Sequence, residues 1–437
     1  MKLWIETLGC PKNFNDSEGI AGIWEKDGLE LAQTPEESDV ILVNTCGFIN
    51  DAKRESIDKI FEMSHISEDK ILIVSGCLSQ RYGQELFEEM PEVDIFLGVN
   101  EYERLPEIVE SYKEGQRRQF YSCQPNEFAE FSARKIEENP YSKTLRIAEG
   151  CNNCCAYCVI PQIRGRYRSR PVEKILEEAE LLAAKGCKEL IIIAQDVTGY
   201  GLDLYGGLEL PRLLRELCRI EGIRWIRLMY CYEDKITDEL IDVMAEEKKI
   251  CSYIDIPLQH CHDRVLGSMN RHSTNRSIRE TISKLRDAIP DIHIRTTLIT
   301  GFPGEREDEF EALVDFVEDI KFERLGVFAY SREEGTLAGK MTGQIDEDIK
   351  LQRADSIMRR QLEISRKINL GKVGKTMEVM VEGMDDKGAY TGRTQYDAPE
   401  IDETVIFDSQ RPLEPGDIVN VVITDGFDYD LVGKMEE

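Results

Sequence analysis

Histidine is scarce in this chain, with five residues in 437. So few leave little basis for a serine–histidine–aspartate set, and none follows a cysteine pair at zinc-finger spacing. No run of eighteen apolar residues occurs, so no segment is expected to span a membrane. The N-terminus, MKLWIETLGC, lacks a basic stretch leading into an apolar one; no secretory signal is expected, and the expected location is the cytoplasm. Basic residues are the minority, 55 Lys and Arg against 84 Asp and Glu, for a net charge of −29. A protein gripping nucleic acid through its phosphates would need a basic face. The one compact basic run, RGRYRSR at 164–170, could serve an anionic small molecule or the chain itself. The segment GFPGE at 301–305 lacks the Gly-Lys-Ser/Thr ending of a phosphate-binding loop.

Cysteine, by contrast, is plentiful. Thirteen is an odd number, and in a reducing compartment a disulfide framework is not expected. Cys123, Cys187, Cys218, Cys231, Cys251 and Cys261 share no spacing and read as small buried hydrophobes. The other seven are placed differently.

Residues 1–125 alternate apolar runs with helical patterns, the signature of a parallel α/β sheet. Strands are expected at 2–9, 39–45, 70–76 and 93–98, and Cys10, Cys46 and Cys77 each follow directly on one of the first three. The C-terminal strand ends of an open α/β sheet share one edge, so these three thiols should converge there. A polar stretch at 126–140 reads as a linker. From 141 to 371 six more strands are expected, at 144–149, 189–196, 225–231, 252–259, 292–300 and 324–331, with helices between them. Six βα units suggest a partial barrel, closed by a long helix with Gly371 at its C-cap. Residues 372–437 carry short strand patterns between Gly, Pro and Asp turns, as in a small β-barrel. That segment holds 16 acidic and 6 basic residues, a net −10 that would repel phosphate.

After the first barrel strand, CNNCCAYC packs four cysteines into residues 151–158. Cys151, Cys155 and Cys158 make C-x3-C-x2-C; Cys151, Cys154 and Cys158 would make C-x2-C-x3-C. Zinc would want a second, separated pair, and there is none. Three thiolates on a [4Fe–4S] cubane leave one iron without a protein ligand, and that open iron would sit on the active-site face of a barrel.

C-x3-C-x2-C with Tyr157 before its last cysteine resembles the radical S-adenosylmethionine superfamily. The resemblance implies a cluster on Cys151, Cys155 and Cys158, with Cys154 a bystander and S-adenosylmethionine chelating the open iron. Strand-end cysteines, a radical S-adenosylmethionine barrel and a small TRAM-like barrel together resemble the methylthiotransferases over nearly the whole chain. LGCPKNFNDSEG, TCGFINDAKRES, YIDIPLQH, TGFPGEREDEF and GRTQYDAPEID are similar to the RimO type, which acts on a ribosomal protein. HCHDRVLGSMNR, with Cys261–His262, and GEREDEF, with Arg306, depart from its usual residues. The resemblance implies a second [4Fe–4S] cluster on Cys10, Cys46 and Cys77, delivering sulfur and a methyl group to the β-carbon of an aspartate in a basic small-subunit protein. It implies S-adenosylmethionine contacts at Tyr157, Gln195, Asp196, Thr300 and Gly301, separate electron and sulfur donors, a monomer, and no direct RNA binding. The acidic barrel is expected to recognise the basic substrate, with Asp397, Glu400, Asp402 and Glu403 on its binding face. A transfer-RNA adenosine methylthiotransferase, or a non-catalytic iron–sulfur or zinc assembly protein, would share the cysteines.

Overall fold

The computed structural model describes residues 1–436 except 68, 114, 123–126 and 137–139, so Cys123 and parts of the expected linker lie outside the described residues. The chain forms two compact units. One takes residues 1–138, 148–170 and 333–336; the other takes 139–147, 171–332 and 337–437.

The first unit is built on six parallel strands: β1 (Lys2–Thr7), β2 (Glu30–Leu31), β3 (Val40–Thr45), β4 (Ile71–Ser75), β5 (Ile95–Leu97) and β6 (Arg118–Phe120), in the order β2-β1-β3-β4-β5-β6. Central strand β3 is buried along its whole length, as a parallel strand with both faces covered must be. Alternation then sorts its side chains. Val40 and Leu42 pack with Ile20, Ile23 and Trp24 of helix α1 (Pro11–Lys26). Ile41 and Val43 pack with Ile60 and Met63 of α2 (Asn50–Ile66) and Leu78 and Leu86 of α3 (Gly76–Glu89). Residues 127–136 lie along α1, where the Phe131 ring fills the space above Gly19 and Arg134 Nε donates to Glu18 at 2.9 Å. The two-residue β2 and three-residue β6 were not expected from the sequence. In this unit too, β8 (Ala148–Glu149) pairs antiparallel with β9 (Arg168–Ser169), bracketing the cysteine loop and the one-turn helix α4 (Ile160–Ile163).

The second unit carries the six expected parallel strands, β7 (Ser142–Arg146), β10 (Glu189–Ile193), β11 (Trp225–Leu228), β12 (Ile250–Asp255), β13 (His293–Thr300) and β14 (Arg324–Ala329), in sequential order. The helix Glu347–Leu370 leads into a closed five-stranded barrel: β15 (Thr376–Met384), β16 (Tyr390–Thr394), β17 (Thr404–Asp408), β18 (Ile418–Gly426) and β19 (Asp430–Met435). Gly371 follows that helix with φ −70°, so it uses none of glycine's left-handed freedom.

The barrel segment 393–403 corrects the expected binding face. Asp397 and Glu403 are buried, and both accept from Arg324 Nη2, at 2.5 and 2.8 Å. Asp402 accepts from Tyr253 Oη at 2.7 Å and pairs with Arg295. Arg393 reaches the other way and pairs with Glu189, which also holds Arg227. Glu189 and Arg324 open their strands, so these charges close the strand starts of the six-stranded sheet. Of the four acids, Glu400 alone is exposed. Summing charges along a sequence cannot tell a paired carboxylate from a free one.

Candidate metal and thiol site

Three turns from strand to helix or loop place the first set of thiols. Cys10 is the N-cap of α1, Cys46 follows β3, and Cys77 is the second residue of α3. Partial positive charge at a helix N-terminus favours thiolate, and two of the three positions have it. Backbone geometry demands glycine at two of these turns. Gly9 has φ +94°, and a Cβ there would lie 2.7 Å from Cys46 Cβ. Gly76 has φ +92°, and its Cβ would strike the Thr45 carbonyl oxygen.

Sequence reasoning missed the side chains that lock these turns together. Asn13 Nδ2 donates to the carbonyls of Leu8 (2.8 Å) and Thr45 (3.0 Å), tying the end of β1 to the end of β3. Asn44 Nδ2 donates back to the Asn13 carbonyl at 2.9 Å. Ser56 Oγ exchanges hydrogen bonds with the backbone N–H and carbonyl of Cys46, both at 3.0 Å. Asn13 sits three residues after Cys10 behind a proline suited to the first helical turn, the one local signal that could have pointed to it.

The thiols sense one another. Burial, opposed by the Phe48 backbone, pushes the Cys46 thiol up to about 11, with Cys77 and Cys10 adding to the rise. Burial also raises Cys77, against the pull of Arg164. Cys46 and Cys77 are buried while Cys10 is exposed, so the group opens to solvent on the Cys10 side.

Cys151, Cys154, Cys155 and Cys158 lie in the same compact unit. Cys151 Sγ accepts from Asn153 N–H and Cys158 Sγ from Ile160 N–H, each at 3.5 Å. Cys158 N–H donates to the Cys155 carbonyl at 3.0 Å, a turn that brings those two residues together. Burial pushes Cys158 up to about 12, with Cys155, Cys151 and Cys154 contributing. Cys154 is exposed and left-handed, with φ 51°. The basic run RGRYRSR proves to serve the chain itself. Arg164 bonds Asp16, Asn13 and Cys77, Arg168 donates to the carbonyls of Arg164 and Arg166, and Arg170 pairs with Glu130.

Among the described residues, no three Cys, His, Asp or Glu side chains gather closely enough to hold a single metal ion. A cubane would spread the three thiolates of a triad over three different irons instead of gathering them on one ion. The donor set fits a cluster: its metal would bind the thiols as thiolates and displace their protons to solvent, and backbone N–H groups already point at the sulfurs of Cys151 and Cys158. Cys187, Cys218, Cys231, Cys251 and Cys261 are buried.

In the second unit, Gln195 and Asp196 follow β10, Thr300 ends β13 and Gly301 follows it. Asp196 is held in its turn by Thr198 Oγ1 (2.7 Å), Gly199 N–H (3.1 Å) and Lys235 Nζ (2.8 Å). Gly301 has φ +71°, and its N–H donates to Glu305 at 2.9 Å. Tyr157 is half-buried in the cysteine loop of the first unit.

Comparison with known proteins finds three family matches along the chain. Residues 2–98 match a family described as uncharacterized protein family UPF0004, 145–317 the radical SAM superfamily, and 373–435 the TRAM domain. Among solved structures, the radical S-adenosylmethionine methyltransferase TsrM from Kitasatospora setae shares the fold, with TM-score 0.57 at 14% identity over 77% of this chain and 74% of that one. The ribosomal protein uS12 methylthiotransferase RimO of Clostridioides difficile (strain 630) is 48% identical over 100% of this chain and 99% of its own. The protein of the same name from Thermoanaerobacter sp. (strain X514) is 48% identical over 98% and 99%. That identity, over essentially the full length of the chain, makes it a member of the RimO family of radical S-adenosylmethionine methylthiotransferases.

Proposed function

We propose that this chain methylthiolates the β-carbon of an aspartate in the small-subunit ribosomal protein uS12, using two [4Fe–4S] clusters and S-adenosylmethionine. The observation that carries the reading is the full-length likeness to relatives named for that activity, on a chain whose two cysteine triads lie in one compact unit. The same likeness disfavours a transfer-RNA substrate or a metal-storage role.

Cys151, Cys155 and Cys158 are proposed to hold one cluster, and Cys10, Cys46 and Cys77 the other. When bound, the clusters supply an electron for cleavage of S-adenosylmethionine and a site that carries the sulfur to be transferred. The chain's own part is placement. Asn13, Asn44 and Ser56 fix the strand-end turns, so the three thiols present a preformed face rather than one assembled on binding. Exposed Cys10, with Phe14 four residues after it and Phe48 two residues after Cys46, both also exposed, leaves that face open to a protein substrate. Tyr157, Gln195, Asp196, Thr300 and Gly301 are proposed as S-adenosylmethionine contacts on the strength of family resemblance.

Further proposals concern organisation and partners. The modules are 1–125, a linker at 126–140, 141–371 and 372–437. The enzyme works in the cytoplasm as a monomer, draws electrons and sulfur from separate donors and makes no direct contact with RNA. Acids that stay exposed on the small barrel, among them Asp386, Glu400, Asp408 and Asp425, attract the basic substrate.

Mass spectrometry after incubating the anaerobically reconstituted chain with uS12, S-adenosylmethionine, sulfide and a reductant tests the reading. One aspartate should gain CH3S in place of H. Unmodified uS12, with methylthiolated adenosine in added transfer RNA, would overturn it.

A further inference from the structure

We propose that Arg164 is a positioning residue for the N-terminal thiol site: the loop of the C-x3-C-x2-C motif supplies a buried guanidinium that donates to the sulfur of Cys77. The inference rests on Cys77 being a cluster ligand. Arg164 lies six residues beyond Cys158 and is buried. Its two terminal nitrogens are used differently. Nη1 donates to Asp16 Oδ2 at 2.7 Å, while Nη2 donates to Asn13 Oδ1 at 3.1 Å and to Cys77 Sγ at 3.2 Å. The ion pair with Asp16 engages Nη1 and leaves Nη2 to the other two acceptors. Here the fork is split, with one arm on the acid and the other on sulfur.

The surroundings make that arm matter. Val159 and Ile163, from the turn just after Cys158, form a buried apolar group with Cys77 and exclude water from the N–H···S contact. Asn13, the second acceptor, is the residue that ties the ends of β1 and β3, so the guanidinium joins the turn lattice that places the thiols. Hydrogen bonds to cluster sulfur, and positive charge near it, stabilise the reduced cluster and raise its potential. Arg164 should therefore hold the N-terminal cluster at a higher potential than the thiols alone would set.

The test uses the full chain with Cys151, Cys155 and Cys158 all changed to Ala, so that only the N-terminal site can carry iron. Reconstituted with iron and sulfide, this background should bind about four irons, by the cubane argument. Failure there would count against the ligand assignment itself and not against Arg164. With the cluster present, a redox titration followed by electron paramagnetic resonance compares Arg164 with Arg164→Gln and Arg164→Lys. The midpoint should shift negative in Arg164→Gln and by less in Arg164→Lys, which keeps the charge but not the split fork. Loss of iron from Arg164→Gln with native circular dichroism would equally support a role in placing Cys77. If Arg164→Gln does not fold, Arg164→Met combined with Asp16→Asn removes the buried pair together and is read on the same scale. Arg164→Lys leaves a charge beside Asp16 and gives a reading in any case. Equal midpoints at full iron content would overturn the proposal, because a merely structural arginine would lower thermal stability and leave the potential where it was.

Discussion

Two buried charge networks, one in each compact unit, use arginine to different ends. In the first unit Arg164 is shared among Asp16, Asn13 and Cys77, so part of its donor capacity is spent on a reactive side chain. In the second, Arg393 and Arg227 converge on Glu189, and Arg324 on Asp397 and Glu403; every charged partner is a carboxylate, and the one sulfur that accepts, at 3.9 Å, is the unreactive thioether of Met380. Position separates them as well. The first network gathers at the C-terminal ends of β1, β3 and β4, where open parallel sheets carry their sites. The second sits at the N-terminal starts of β10 and β14, the end of a βα barrel where such residues serve stability. A buried arginine is thus read by what else lies within its reach.

The hardest test of that contrast is removal of the thiols that the first network is proposed to serve. Changing Cys10, Cys46 and Cys77 to Ala should take bound iron from about eight to about four, by the cubane argument, and leave S-adenosylmethionine cleavage measurable. Methylthiolation of uS12 should vanish. Changing Cys151, Cys155 and Cys158 should halve the iron too, but abolish cleavage. Iron analysis and chromatography of 5′-deoxyadenosine distinguish the two outcomes, and an N-terminal triple variant with full iron would break the comparison at its first term.

The second network should fail differently. Glu189→Gln leaves Arg227 and Arg393 buried against a neutral side chain, a loss of about 3–5 kcal/mol by analogy with other broken buried pairs. Urea denaturation should register it while iron in the remaining folded protein stays unchanged. Acid sharpens the reading. Burial alone would raise the Glu189 carboxyl, but Arg393 and Arg227 bring it down to about 2, against 4.5 when unpaired. Its contribution is therefore complete above pH 4.5 and is lost as pH falls toward 2. Wild type should lose stability across that interval more steeply than Glu189→Gln. Asp397→Lys should behave as a stability variant of this kind. Reversing Asp386, Glu400, Asp408 and Asp425, which are exposed, should shift stability by no more than about 0.5 kcal/mol. It should slow uS12 modification in a salt-sensitive way.

How far each network could be read beforehand follows from how local its signals are. The thiol site was legible because strand, turn and cysteine are contiguous: an apolar run ending in Cys10, Cys46 or Cys77 marks a strand end in a handful of residues. Its supports were not. Arg164 meets Cys77 across 87 residues and Asp16 across 148, and nothing in RGRYRSR says which of its arginines turns inward. For the second network, sequence led to the opposite conclusion. GRTQYDAPEID reads as an acidic surface, yet Arg393 and Asp397 are buried, paired with Glu189 and Arg324 about 204 and 73 positions away. Net charge adds along a chain, whereas pairing depends on contacts that only the fold makes.

The smallest effect belongs to the residue between the ligands. Cys154 and Cys155 are adjacent, and either could complete a triad with Cys151 and Cys158 by spacing alone. Local geometry separates them. The turn closed by Cys158 N–H on the Cys155 carbonyl holds Cys155 and Cys158 as one pair, while Cys154 takes the left-handed backbone that swings the chain into that turn and leaves its side chain exposed. Serine keeps the size of cysteine, adds no branch at Cβ to worsen a left-handed residue, and is at ease in contact with water. Cys154→Ser should therefore bind as much iron as wild type, cleave S-adenosylmethionine at close to the same rate and unfold within about 0.5 kcal/mol of it. Cys155→Ser should lose one cluster and all cleavage. Anaerobic iron analysis of the two single variants side by side decides the register, and the reverse pattern would exchange the roles of the two cysteines and leave the exposed left-handed residue as the ligand.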